Sequence, residues 1–317
     1  MKRSELLLRL FVVGIAVLLT TAFGDAQTYS RGQNASPAFE GWEQNADGSF
    51  SFLFGYMNRN WEEEINVPIG PDNNIEPGGP DQGQPTRLLP RRNRFIFRVR
   101  VPKDWGEKEL VWTLTTKGKT EKAYASLKID YFVDDVVVAS ETGALGAGTS
   151  SPEVRSNKRP EVKLDGEKTR TVKVGEPLSL VAWVTDDGIP KRPTLSAAQI
   201  AAAARALNAS PTTPRNPVLV PPSRITVGKR TGLHFKWFVY RGPGEVRFDP
   251  MQVKAWEDTR AGANSPWAPL WTPPPMPPDA KMTATATFDT PGAYVLRARA
   301  DDGALYDDQE LTVVVTR

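Results

Sequence analysis

In the stretch from Ser49 to Tyr56, SFSFLFGY, every second residue is aromatic. A period of two gathers Phe50, Phe52, Phe54 and Tyr56 on one face of a β-strand, and no helix can do the same. RFIFRVRVP (residues 94–102) repeats the device, with Phe95, Phe97, Val99 and Val101 expected inward and Arg98 and Arg100 outward. LVWTLTTKGKTEKAYASL (110–127) reads as a β-hairpin whose turn is Lys117 to Thr120. DYFVDDVVVAS (130–140) reads as a further strand. Between these lies IGPDNNIEPGGPDQGQPTRLLP (69–90), too long for a simple connection. These segments define a first all-β domain over residues 38–139, after a polar leader at 27–37.

Residues 140–161, SETGALGAGTSSPEVRSNKRPE, are small and polar and read as a linker. Their Gly143, Gly146 and Gly148 do not make a dinucleotide loop, which needs a helix directly afterwards, where Pro152 and a Ser/Thr run stand instead. The second domain, 162–317, has its clearest strands in EPLSLVAWV (176–184), LHFKWFVY (233–240), MTATATF (282–288) and AYVLRARA (293–300). DTPG (289–292) turns between the last two. One helix is expected within it, at residues 195–209, with Ser196 as N-cap and Ile200, Ala204 and Leu207 as its apolar stripe. The fold class is therefore all-β, two β-sandwich domains, and the 317 residues give room for both. The 28 Pro and 25 Gly suit many turns rather than long helices. The linker implies that residues 28–139 and 162–317 each fold alone.

The N-terminus predicts export. Lys2 and Arg3 precede an uncharged apolar run from Leu10 to Leu19, and Gly24 and Ala26 stand where a signal peptidase reads. Residues 1–26 read as a signal peptide, since the run falls short of the roughly 20 residues of a spanning helix. The expected location is periplasmic or secreted, in a bacterium, with membrane contact only through the transient signal peptide. Cysteine is absent, which removes disulfide staples, thiol nucleophiles and thiolate metal sites, and also a lipidated N-terminal Cys.

Two details of the second domain match immunoglobulin-like sandwiches. Trp237 lies mid-strand where such domains place a core Trp, and Tyr294 opens a strand just after a turn, as a tyrosine corner does; Leu296 stands where antibody domains carry Cys. VGEPLSLVAWVTDDG, KWFVYRGPGEVRF, TATFDTPGAYVLRARADDG and a final LTVVV together resemble the PKD-type Ig-like module of exported bacterial proteins, over residues 170–316. The insert from Thr194 to Arg230 and the loop WEDTRAGANSPWAPLWTPPPMPP depart from that module. The first domain is similar to an uncharacterised exported bacterial β-module, through FGYMNRN, VPIGPDNNIEPGGPDQGQPT and LVWTLTTKG. The resemblance implies a non-catalytic role in spacing, adhesion or binding.

Catalytic chemistry finds little to rest on. His234 is the single His, and no nucleophile elbow accompanies it. The basic run Arg87, Arg91, Arg92, Arg94, Arg98, Arg100 and Lys103 could meet an anionic partner, but its alternation with inward apolar residues reads better as a solvated strand face. A net charge of +3 and the lack of a recognition motif speak against nucleic acid. Trp256, Trp267 and Trp271 share one Pro-rich segment and either stack on sugars or fold back as a lid. Two strands end in Asp-Asp-Gly, and an Ig-like topology brings their loops to one end. Asp186, Asp187, Asp301, Asp302, Asp307 and Asp308 then either cap two turns or hold calcium, the one cofactor considered. The chain reads as an exported, non-catalytic structural or protein-interaction component of the bacterial envelope, its partner an envelope protein or polysaccharide. The alternative is a carbohydrate-binding module using the Trp/Pro-rich loop.

Overall fold

The computed structural model describes residues 30–141, 151–192, 227–228, 231–252, 255–256 and 276–317. The expected signal peptide, the expected helix at 195–209, and Trp267 and Trp271 lie outside these residues. Among the described residues, no helix is long and apolar enough to cross a membrane.

The first lobe is built from β1 (Ala35–Gln44), β2 (Phe50–Asn58), β3 (Ile65–Asn66), β4 (Asn73–Glu76), β5 (Arg87–Leu88), β6 (Arg91–Val101), β7 (Leu110–Thr116) and β8 (Lys119–Ala125). Sheets β1-β2-β6 and β4-β7-β8 face one another, and β3 and β5 form a small ribbon beside them. The sheets meet where Ala35 N donates to Thr116 Oγ1 at 2.8 Å. The alternation in the sequence accounts for the core between them. Phe54 stacks on Phe97 at 5.3 Å, and Trp112 meets Phe97 edge-on at 5.0 Å. The hairpin turns where expected, at Lys117 and Gly118, whose φ values of 51° and 73° give the primed turn that suits the twist of the strands.

Four sequence expectations are corrected here. The stretch 27–37 is not all leader, because β1 starts at Ala35. Phe95 does not join Phe97 inside the sandwich: its backbone is left-handed (φ 53°) and the facing register slips between Phe54 and Tyr56. That bulge breaks the alternation, so Ile96 enters the sandwich core and Phe95 turns to a second cluster with Leu53 and Val133. DYFVDDVVVAS is not a strand but a 3-10 turn (Ile129–Tyr131) followed by helix α1 (Asp135–Glu141). The Asp134 carboxylate accepts from Val137 N at 2.8 Å, and this cap overrides the β preference of three valines. Pro152, read as a helix breaker, instead opens the short helix α2 (Pro152–Ser156), at a position whose N–H has no partner in any helix.

The second lobe comprises β9 (Glu161–Leu164), β10 (Thr169–Lys173), β11 (Leu178–Thr185), β12 (Val227–Gly228), β13 (His234–Arg241), β14 (Val246–Asp249), β15 (Ala255–Trp256), β16 (Lys281–Phe288), β17 (Gly292–Asp301) and β18 (Tyr306–Thr316). Its two main sheets are β9-β11-β16-β14 and β10-β18-β17-β13. With β9 and β10 as the two halves of strand A, this is the A-B-E-D and A′-G-F-C order of an immunoglobulin-like sandwich. The short β10 runs parallel to β18, the last strand. Trp237 on strand C, Leu180 on B and Leu296 on F share one core. The Tyr294 hydroxyl donates to the Thr290 carbonyl at 2.8 Å, closing the tyrosine corner.

The two lobes share core rather than merely touching. Phe238 and Tyr240 of β13 belong to the first lobe's hydrophobic cluster. Ala304, Leu305 and Tyr306 pack with Leu53, Phe95, Val133, Val138 and Ala139. The long Pro/Gly segment supplies a strap: Arg241 holds Asp81 bidentately at 2.8 and 3.0 Å and donates to the Gln84 carbonyl, and the Tyr240 hydroxyl donates to the Gly83 carbonyl.

Candidate functional site

Both acidic triplets form side-chain turns. Asp186 accepts from Gly188 N and Asp187 from Ile189 N, each at 2.9 Å, while Asp301 accepts from Gly303 N at 2.8 Å. Asp302 accepts from Ala304 N and Leu305 N at 2.6 and 2.7 Å. Gly188 and Gly303 take φ values of 79° and 95°, open to glycine at little cost. The topology also brings the loops together. Asn157 Nδ2 donates to Asp302 at 2.9 Å, and its neighbour Lys158 donates its backbone N–H to Asp187 at 3.1 Å. One short segment thus ties the B–C loop to the F–G loop.

Asp302 is fully buried, and burial, with the Asp301 charge beside it, pushes its carboxyl up to about 7. Asp186 is raised by burial and by Asp187. Of the remaining two, Asp307 accepts from Val162 N at 2.9 Å. Asp308 does not join the end of the sandwich: it faces the other lobe, gripped by Arg299 at 2.6 and 2.7 Å. Among the described residues, no three carboxylate or imidazole groups are placed to share a cation. Calcium at this end is thus a reading carried by the sequence, set against turns whose hydrogen bonds are on view.

The RARA run after Leu296 explains the interface. Leu296, Ala298 and Ala300 point into the sandwich, so Arg297 and Arg299 stand on the opposite face, where the first lobe covers them. Arg297 lies 3.4 Å from the Tyr240 ring centroid, and Arg299 lies 4.0 Å from that of Tyr306. Arg297 donates to the Ile96 carbonyl and the Tyr306 hydroxyl to that of Phe95, both on β6. Burial pushes the Asp308 carboxyl up, but the Arg299 charge and hydrogen bonds, with Arg297 behind them, outweigh it and hold it below the ordinary range. Sequence reading missed this cluster, although the alternating Arg was its signal. A cleft of about 710 Å³ opens between the lobes here. Most of its charges are already matched, Arg98 with Glu43, Arg159 with Asp135 and Arg297 with Glu310.

Five of the seven cations of the basic run are spent in the same way. Arg87 pairs with Glu64 at 2.7 Å and with Glu245 across the lobes, Arg92 with Glu40 at 2.6 Å, Arg94 with Glu141 at 3.5 Å, and Arg100 with Asp47. This is more than a solvated face: β6 is stitched to β1 and its turn by ion pairs. His234 opens β13 as a buried residue with Nδ1 3.4 Å from the Gly232 carbonyl. Trp256 falls on β15, which pairs with β12; the other two tryptophans of that segment lie outside the described residues.

No family model matches the chain, and no curated protein matches it. Solved structures similar to it include the adhesin InvE of Yersinia pseudotuberculosis, at 8% identity over 92% of this chain and 61% of that one, with a TM-score of 0.22. Another is a chimeric titin Z1Z2 carrying a decorin peptide, at 9% identity over 90% and 99%, TM-score 0.21. A third is the fibronectin(III)-like modules of Clostridium thermocellum CbhA, at 8% identity over 92% of each chain, TM-score 0.21. Superpositions this loose carry no argument. The immunoglobulin-like assignment of the second lobe rests on its own strand order, core and tyrosine corner.

Proposed function

We propose that the chain is an exported, non-catalytic structural or protein-interaction component of the bacterial envelope, with its second lobe an Ig-like module of the PKD type. The observation that supports this is the joining of the lobes. A shared core, a strap at residues 81–86 and a buried Arg–Asp cluster hold them in one geometry, as a spacer or docking scaffold requires. An enzyme that closes on substrate between lobes needs the opposite, a separable interface. The charged N-terminus and apolar run supply the route out of the cytoplasm.

The test is fractionation of bacterial cells expressing the full chain with a C-terminal tag, followed by N-terminal sequencing. The expected product lies in the periplasm or medium and begins near Gln27. A product retained in the cytosol and beginning at Met1 overturns the reading.

A further inference from the structure

The outer face of the β4-β7-β8 sheet carries a second, separate site. Pairing register places Glu76, Val111 and Tyr124 in one row across the three strands, and Asn74, Thr113 and Lys122 in the next. The other face holds Ile75, Trp112 and Ala123 in the core, so the outward set is committed to solvent. Tyr124 is 55% exposed. With Pro77, Gly78, Gly79 and Glu109 from the flanking loops, these rows line an open concavity of about 490 Å³, the size range of small-ligand sites.

Among the described residues, the charges bordering this concavity are free, as are those of Lys103, Asp104, Glu107, Lys119 and Lys128 elsewhere in the lobe, but here three of them meet around one exposed aromatic ring. Arg87, Arg92, Arg94, Arg98, Arg100 and Lys117 of the same lobe are all ion-paired. The side chains of Glu76, Glu109 and Lys122 take part in none of the ion pairs or hydrogen bonds among the described residues, although they border one concavity. Free carboxylates and an ammonium around a single exposed ring form a polar recognition surface rather than an apolar docking patch.

We infer that this face binds a glycan whose sugars are neutral or carry amino groups. The Tyr124 ring offers a flat apolar face with a polar edge, which complements the C–H face and hydroxyl rim of a pyranose. Glu76 and Glu109 accept from sugar hydroxyls or ammonium groups, while Lys122 and Thr113 donate. Two carboxylates against one lysine repel anionic polymers. The row from Glu76 to Tyr124 spans two inter-strand spacings, about 10 Å, matching a disaccharide. The inference is independent of the proposed role in the envelope, because binding by purified protein does not depend on where the cell puts it. It also concerns different residues from Trp256, Trp267 and Trp271.

The experiment is affinity electrophoresis of the purified full chain through gels containing hydroxyethylcellulose, chitosan or polygalacturonate, with calorimetric titration of cellohexaose and chitosan hexamer. Retardation by the neutral or amino polymer and not by polygalacturonate is expected. Tyr124→Ala should lower affinity about tenfold, the worth of one aromatic stacking contact, while Tyr124→Phe keeps most of it. If Tyr124→Ala fails to fold, the Glu76→Gln, Glu109→Gln double variant is the substitute and should lose affinity severalfold. No retardation by any of these glycans, retardation by polygalacturonate alone, or equal retardation of wild type and the folded variants would overturn the inference.

Discussion

Removing the Asp308 carboxylate should be among the most damaging single changes in the molecule. Asp308 holds Arg299 through a two-bond fork at 2.6 and 2.7 Å and stands 3.4 Å from Arg297. The side chains of Arg299 and Arg297 are only 5% and 8% exposed. Asp308→Ala leaves Arg299 buried against Tyr306 without its anion, and orphaning one half of a buried pair costs about 3 to 5 kcal/mol. A chain with about 5 to 15 kcal/mol of stability loses about a fifth of it or more. Urea unfolding at pH 7, followed by far-ultraviolet circular dichroism, measures the loss directly. The double variant Asp308→Ala, Arg299→Met should recover much of it, because an apolar replacement no longer needs a counter-charge. High salt should leave the cost nearly unchanged, since buried pairs are weakly screened. The sign with pH follows from the depressed carboxyl: its contribution is present above about 3.8 and is lost as pH falls through the lower, folded value. A cost below about 1 kcal/mol for Asp308→Ala, or no recovery in the double variant, would refute the account of the interface.

Two more outcomes follow from the geometry. Residues 161–317 expressed without the first lobe should melt lower than in the full chain and bind a hydrophobic dye, because Phe238 and Tyr240 lose their cover. Melting as high and as cooperative as in the whole protein would show that the lobes are autonomous after all. Asp302 has a folded value of about 7 against an ordinary 3.8, so its contribution is full below 3.8 and is lost as pH rises through 7. The melting temperature should therefore fall between pH 5 and 8, and Asp302→Asn should flatten that slope; an unchanged slope assigns it elsewhere.

Much of the first lobe was legible because strand alternation is local. Phe52, Phe54, Phe97 and Trp112 reach the core by their spacing alone, and the Lys-Gly pair at 117–118 announces its own turn. The same holds for Trp237 and Tyr294, whose places along their strands indicated an immunoglobulin-like order. The failures share a cause. Phe95 turns away because a bulge shifts the phase by one residue, and no periodicity announces where a bulge falls. The valines before Ala139 look like a strand until Asp134 caps them as a helix packed on the lobe interface.

The candidate sites divide along the same line. Two Asp-Asp-Gly stretches closing neighbouring loops could be foreseen, since a turn needs only the residues that make it. What their carboxylates contact could not, because Asn157 and Lys158 reach them from the linker. Sequence by itself determined the alternating strands away from the bulge, their inward faces and the turns, all set by interactions within a few residues. The tertiary structure alone decided that Arg297 and Arg299 are buried, that Asp81 meets Arg241, and that Tyr124 stands among unpaired charges. Those outcomes depend on which surface covers which. A strand's period names its two faces but leaves open whether water or another lobe lies against the second.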